Sequence, residues 1–343
     1  MGKVTIRDVA AAAGVSRQTV SRVLNSKPDV AKETRQRVLE VIEELGYRPS
    51  SIARSLTQGR SYTLGVVSYG LQYFGPSRTL VGIEHQANEM GYTLHLSLVQ
   101  EPAKSGVQIL HDMLSYHVDG IIWAVSEIGN NRDWTEHEIC KLDVPVVFLD
   151  TRPCPGLSVV NIDNRRGGYL ATKHLLDQGY RRIGLITGPL DWWSAQQRKS
   201  GWQEALEQAG GLGEDTLVVE GTWSAASGER GLRRLLEQRP DVDAVFACND
   251  QMALGALKTM REMSLRVPED LAIVGYDNVP EAPFFSPPLS TVRQDLGELG
   301  RCAVQELGRL IEAQQQELQD VESKTIVLQP ELIVRESSVV SGS

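Results

Sequence analysis

The sequence predicts two architectures in one chain: a small all-helical unit at the N-terminus, then a larger α/β body of two subdomains. Three observations carry this. The first 46 residues hold three helical patterns set off by capping residues and glycines. From Leu64 onward, short apolar strands alternate with amphipathic helices. Charge is also divided, with 11 Lys/Arg against 6 Asp/Glu in residues 1–60 and 24 against 38 in the remainder. At 343 residues the chain exceeds what one core usually holds.

The helical unit reads in order. Thr5 with Asp8 resembles a capping box opening a helix over Ile6 to Ala13. Gly14 supplies a turn, Val15 an apolar plug, and Ser16 a cap for a second helix from Arg17 to about Asn25. A third helix runs from Lys32 to Leu45, with Val38, Val41, Ile42 and Leu45 at helical spacing, and Gly46 stops it. The stretch Ser51 to Leu56 is too short to be a stable helix alone. The domain boundary falls near residue 60.

In the body, strands are expected at Leu64–Ser68, Thr93–Ser97, Gly120–Ala124, Val144–Leu149, Arg182–Ile186, Ala244–Ala247 and Leu271–Gly275. Helices are expected at Leu80–Met90, Gly168–Gln178 and Gln196–Ala209, among others. This rhythm implies parallel sheets of right-handed βαβ units, and its length implies two sheets with a cleft between them. The Ser-rich end from about Ser337 reads as a frayed tail.

Composition excludes some classes. No apolar run nears the roughly 20 residues that span a bilayer, and Met1 to Arg7 lacks a signal-peptide pattern, so a cytoplasmic protein without membrane partners is expected. Cys140, Cys154, Cys248 and Cys302 are widely spaced, giving neither a disulfide framework nor a metal site. No cofactor is expected.

A basic head on an acidic body suits phosphate contact at one end only. In the second helix Val20, Val23 and Leu24 turn inward while Arg17, Gln18, Ser21 and Arg22 project near its N-terminus. Arg offers a fork for guanine and Gln a donor and acceptor for adenine, as a helix-turn-helix recognition helix requires. The rival reading is a small bundle with a merely solvated polar face.

In the body, Asn249-Asp250, Tyr276-Asp277 and Leu149-Asp150 follow apolar strands, where open α/β sheets bind ligands. Arg198 and Gln294 offer hydrogen bonds, and Trp223 a face for a pyranose ring. Each alone has a plain structural explanation: Asp250 as a helix cap, Trp223 as core.

The segment from Val4 to Asn25, VTIRDVAAAAGVSRQTVSRVLN, resembles the headpiece signature of the LacI/GalR family of bacterial repressors, and of its lactose-responsive members in particular. The resemblance extends to about residue 335. It implies an α plus α/β fold, a helix-turn-helix headpiece (1–49), a hinge helix (50–60), a periplasmic-binding-protein-like core of two α/β subdomains (61–335) and a flexible tail (336–343). By that resemblance Arg17, Gln18 and Arg22 read bases, with Thr5, Ser16, Thr19, Ser21 and Asn25 completing the DNA face. The hinge would fold only on operator DNA, pair with its twin and push Leu56 into the minor groove.

The resemblance likewise implies a sugar site at Asp150, Ser194, Arg198, Trp223, Asn249, Asp277 and Gln294. Tyr73 (with Gly75, beside Pro76), Asn161 and Trp193 (with Trp192) depart from the pattern of the lactose-responsive members, which leaves a galactoside or related saccharide with an altered second pocket. The helix after Pro76, with Glu84 where the lactose-responsive members have a lysine, would lie on a homodimer seam, and no leucine-rich C-terminal helix follows to make tetramers. The expected function is a repressor released from a near-palindromic operator by a sugar. A sugar-responsive activator and a solute-binding protein are the alternatives. An enzyme is not expected: GxGxxG, phosphate-loop, HExxH and nucleophile-elbow patterns are missing, although Asp150 and Asp277 could form a hydrolytic carboxylate pair.

Overall fold

A computed structural model describes residues 4–24, 28–47, 60–100, 106–210, 217–318 and 321–339. The chain divides into two compact units, Met1–Tyr62 and Thr63–Ser343.

The first unit holds α1 (Ile6–Ala12), α2 (Arg17–Leu24) and α3 (Lys32–Glu44). The carboxylate of Asp8 accepts from both the backbone N–H and the hydroxyl of Thr5 at 2.8 Å, fixing the entry to α1. Ser16 Oγ accepts from the Thr19 N–H at 3.0 Å and so caps α2. Gly14 and Gly46 take left-handed φ values of 63° and 61°, which turn the chain after α1 and α3. The core is Val9, Ala10, Ala13, Val20, Val23 and Val38, with Val15 packed against it. Helices α1 and α3 end one residue earlier than expected, because Ala13 and Leu45 serve as caps. Asn25 and the hinge residues, including Leu56, lie outside the described residues.

The second unit has two six-stranded sheets. Its strands are β1 (Thr63–Tyr69), β2 (Thr93–Val99), β3 (Gly120–Ala124), β4 (Val146–Leu149), β5 (Ser158–Ile162), β6 (Ile183–Thr187), β7 (Val218–Glu220), β8 (Ala244–Ala247), β9 (Ala272–Asp277), β10 (Ser290–Arg293), β11 (Thr325–Leu328) and β12 (Glu331–Ile333). Its helices are α4 (Phe74–Glu89), α5 (Gly106–Ser115), α6 (Thr135–Glu138), α7 (Asn164–Asp177), α8 (Trp193–Gln208), α9 (Ala225–Gln238), α10 (Asp250–Glu262) and α11 (Leu296–Gln315). The first sheet runs β11-β5-β4-β3-β1-β2, all parallel; the second runs β12-β10-β9-β8-β6-β7, parallel except for β12 against β10. The chain crosses between lobes three times: from β5 to α7, from β10 to α11, and from β11 to β12.

Every residue of β5, β6, β8 and β9 is buried, as expected of strands covered by helices on both faces. Helices α7 and α8 touch at backbone distance: a Cβ on Gly168 would meet the Arg198 carbonyl oxygen at 2.1 Å. That contact seats Arg198.

Three expectations need correction. The helix carrying Glu84 begins at Phe74, so Pro76 lies inside its first turn, where a missing N–H costs nothing. The strand expected from Val144 begins at Val146. The tail is not frayed through Val339: Glu336–Ser338 form a 3-10 turn, and Ser337 and Ser338 are fully buried. Ser337 Oγ donates to the Ile273 carbonyl at 2.7 Å and accepts from the Ser290 N–H at 2.8 Å. Ser338 Oγ lies 2.7 Å from both Ser290 Oγ and His174 Nε2. Cys154, Cys248 and Cys302 are free thiols. Among the described residues no helix is long and apolar enough to cross a membrane.

Candidate functional site

The headpiece presents a polar helix face. Arg17, Gln18 and Arg22 are exposed on α2, while Val20 and Val23 are buried. Ser16, exposed, and the half-buried Thr19 bond each other at 2.9 Å, so these hydroxyls already serve the cap. Arg22 pairs with Asp29 at 3.2 Å, both about half exposed, which orients the guanidinium without neutralising it deeply. Thr5 is exposed, with its hydroxyl on Asp8.

In the second unit a cavity of about 380 Å³ lies in the cleft between the lobes, within the range of small-molecule sites. Tyr73, Pro76, Asp150, Ser194, Arg198, Trp223, Asn249, Asp277 and Gln294 line it together, as does Gly75. Three of them, Asp150 (φ 48°), Trp223 (φ 63°) and Asp277 (φ 112°), hold left-handed backbone at non-glycine positions. Each costs strain, and such residues cluster where side chains must be aimed.

Arg198 is the hub. Its Nε donates to Asn164 Oδ1 at 2.8 Å and its Nη1 to the Cys248 carbonyl. The guanidinium sits 3.7 Å from the Tyr276 ring centroid and 5.5 Å from that of Trp223. Asn249 caps α10, accepting from the Met252 N–H at 2.8 Å, and donates its amide to the Trp223 carbonyl at 2.9 Å. One side chain thereby secures a helix start and the strained Trp223 backbone. Gly188 makes room for the indole, since a Cβ there would lie 2.1 Å from the Trp223 ring.

Burial dominates the acid–base chemistry. Asp277 is pushed up to about 6, with Arg198 and a 2.6 Å hydrogen bond from Gln294 opposing the shift. Asp150 is also raised by burial, against a hydrogen bond with Ser126 and the charges of Arg198 and Arg132. Two carboxylates short of solvent are thus poised to accept hydrogen bonds from a ligand's hydroxyls. Trp223 Nε1 is buried with no hydrogen-bond partner among the described residues, a further open donor.

Two expected residues do not reach the cavity. Asn161 is buried with its amide committed to Thr151, accepting from its N–H at 3.2 Å and donating to its carbonyl at 2.7 Å; the adjacent Ile162 lines the cavity instead. Trp193 is the first residue of α8, and Trp192 before it lines the cavity. Asp250 is likewise absent from the lining: fully buried, it accepts from Thr291 Oγ1 at 2.6 Å and the Val279 N–H at 2.8 Å. Sequence reasoning missed Ser126, Asn164, Leu296 and Leu299. Ser126 lies two residues beyond β3, where the strand-end rule pointed; Leu296 and Leu299, in the first turn of a helix, carried no signal of their own.

Comparison with known proteins agrees with both units. Residues 5–50 match the family described as bacterial regulatory proteins, lacI family, and residues 172–338 match the periplasmic binding protein-like domain. The HTH-type transcriptional repressor PurR of Haemophilus influenzae (strain PittEE) is 36% identical over 97% of this chain and 98% of that one. PurR of Mannheimia succiniciproducens is also 36% identical, over the same shares. Among solved structures, the lac repressor dimer bound to operator and the anti-inducer ONPF superposes with a TM-score of 0.88 at 32% identity, covering 99% of this chain and 100% of that one. The transcriptional regulator CelR–cellobiose complex matches with a TM-score of 0.70 at 35% identity, covering 98% and 100%. Headpiece, two-lobed body and full-length relatives together make the chain a member of the LacI family of bacterial regulatory proteins, a DNA-binding transcriptional repressor.

Proposed function

We propose that the repressor binds a near-palindromic operator as a homodimer and is released by a neutral saccharide held between the lobes. In the headpiece, Arg17, Gln18 and Arg22 read bases, Thr5, Ser16, Thr19, Ser21 and Asn25 complete the DNA face, and Leu56 wedges the minor groove. A dimer is supported by apolar side chains left on the surface of the second unit, among them Val81, Leu98, Leu254 and the 85% exposed Phe284. The operator-bound lac repressor dimer supports the same reading.

The observation that carries the effector assignment is the stacked arginine Arg198 lining one cavity together with two carboxylates, the half-buried Asp150 and the buried Asp277. Carboxylates accept from vicinal hydroxyls, the guanidinium donates to ring and hydroxyl oxygens, and Trp223 covers an apolar ring face. A sugar offers all three. Trp192, Tyr73 and Trp223 form an aromatic wall, with Trp192 5.8 Å from Trp223 and 6.0 Å from Tyr73 between ring centroids. That wall suits a second ring, so the effector class is a galactoside or related β-linked disaccharide. The cellobiose complex of CelR supports a disaccharide of this kind.

The test is fluorescence anisotropy of the full-length protein on a labelled near-palindromic operator, titrated with lactose, cellobiose, methyl β-galactoside and, as a flat heterocycle, hypoxanthine. Release by one of the sugars alone is the expected result. Release by hypoxanthine, or by none of the four, would overturn the saccharide assignment.

A further inference from the structure

The lobes also meet where no peptide bond joins them. Ile128, in the loop after β3, pairs with Trp192, in the turn entering α8, as a short antiparallel bridge. The Trp193 N–H donates to the Glu127 carbonyl at 2.9 Å, and the Gly129 N–H to the Asp191 carbonyl at 2.8 Å. The first-lobe partner is braced from within. Glu127 N–H donates to the Asp150 carbonyl at 2.9 Å, and the Glu127 carboxylate accepts from Thr151 Oγ1 and the Arg152 N–H at 2.8 Å. Asn131 accepts from the Ile128 N–H at 3.1 Å and donates to the Ser126 carbonyl at 3.0 Å. The second-lobe half is tied to its own lobe by the Leu190 N–H on Glu220 Oε1 at 3.0 Å and the Gln196 N–H on the Trp192 carbonyl at 3.1 Å, so each half moves with its lobe.

Its position gives it leverage. The covalent crossings leave from β5, β10 and β11, whereas the bridge follows β3 in the first sheet and β6 in the second. Strands β3 and β5 are two places apart, and β6 and β10 three, which sets the bridge about 10–15 Å from the crossings. A lobe rotation of about 15° about those crossings shifts the halves by about 3 Å, enough to break both hydrogen bonds. The crossings cannot break. The bridge also carries Trp192, whose ring lines the cavity, so a ligand filling that space presses on a residue held between the two hydrogen bonds.

We propose that the 127–129/191–193 bridge is the latch of the effector cleft, closed when the lobes sit as they do here, reinforced when a ligand packs against Trp192 and broken when the lobes part. The proposal rests on the saccharide reading for its ligand only; the latch is a property of the lobes themselves.

Backbone chemistry allows a clean test. Trp193 opens α8, where its N–H has no intrahelical partner and proline is favoured. Trp192 before it is extended, with φ −83° and ψ 127°, as a residue preceding proline must be. Trp193→Pro removes the latch donor; Trp193→Ala removes the same ring but keeps the N–H. Amide exchange of peptides spanning residues 126–132 is followed in both full-length variants without ligand. Each variant is then titrated calorimetrically with lactose, cellobiose and methyl β-galactoside. The proline variant should exchange the Gly129 amide at least fivefold faster than the alanine variant, and bind the recognised sugar about fivefold more weakly, as for one lost hydrogen bond.

Gly129→Ala supplies an independent perturbation. Its φ is 54° and no atom lies within 4 Å of an added Cβ, so only backbone strain is introduced. It should speed exchange in the same peptides. Equal exchange in the proline and alanine variants overturns the latch, and equal sugar affinity overturns its coupling to the effector. If the wild-type protein binds none of the sugars, the saccharide assignment fails while the exchange comparison still decides the latch.

Discussion

The two lobes meet the cavity with different chemistry. The second lobe brings polar groups whose partners are already in place: Arg198 on Asn164 and the Cys248 carbonyl, Asn249 on Trp223 and Met252, Asp277 on Gln294. The first lobe brings Tyr73, Phe74, Pro76, Leu149 and Ile162, with Gln72, Thr79, Ser126 and Asp150 as its polar members. A polar group in a dry site acts strongly only if it is held in advance. An apolar wall tolerates slack. The second lobe should therefore decide which ligand binds, and the first how tightly it is enclosed.

The severest challenge to that division is Arg198→Ala. It removes the cation whose charge opposes the upward shift of both Asp150 and Asp277, together with its donors to the ligand, and effector affinity should fall at least about 100-fold, or about 3 kcal/mol. Calorimetry showing a loss below about fivefold would mean that the second lobe does not discriminate.

Next comes acid–base behaviour. Because Asp277 is held near 6 in the fold against 3.8 ordinarily, the folded chain keeps a proton that the unfolded chain releases between about pH 4 and 6. Stability from this group is thus present below about pH 4 and is lost as pH rises through 6, by up to about 3 kcal/mol. Asp277→Asn should raise Tm at pH 7.5, flatten the decline of Tm between pH 4.5 and 7.5, and abolish effector binding. An unchanged pH profile would show that the carboxylate is not strained by burial.

Gly188→Ala is expected to be milder. The added methyl displaces the Trp223 ring, and effector affinity should fall about tenfold, in keeping with a lost stacking face. The smallest effect belongs to the first lobe: Tyr73→Ala should cost about threefold, read in the same titration. If Tyr73→Ala proved worse than Gly188→Ala, the division of labour would be reversed.

Much of this was readable in advance where signals are local. Gly14, Ser16 and Gly46 punctuate the headpiece through backbone preferences that no tertiary contact has to supply. The carboxyl ends of β4, β8 and β9 pointed to Asp150, Asn249 and Asp277 because parallel strands gather ligand groups there. The one-residue misplacements at Asn161 and Trp193 have separate local causes. Strand β5 is buried on both faces, so its sequence shows no alternation to say which side chain turns toward the cleft. The turn before α8 offers two tryptophans in succession, and only the cap geometry, with Trp192 extended and Trp193 helical, chooses between them. Nor could composition reveal that two serines near the C-terminus are buried, since a hydroxyl that reads as solvated is equally content with two protein partners.

Those serines set a practical limit for anyone cutting the molecule into pieces. Ser337 closes the Ile273 carbonyl and the Ser290 amide, and Ser338 ties His174 to Ser290, so the last described turn works as a clasp on the second lobe. A fragment trimmed before Glu336 would leave backbone groups of β9 and β10 buried and bare, whereas one carried through Val339 would keep the clasp shut.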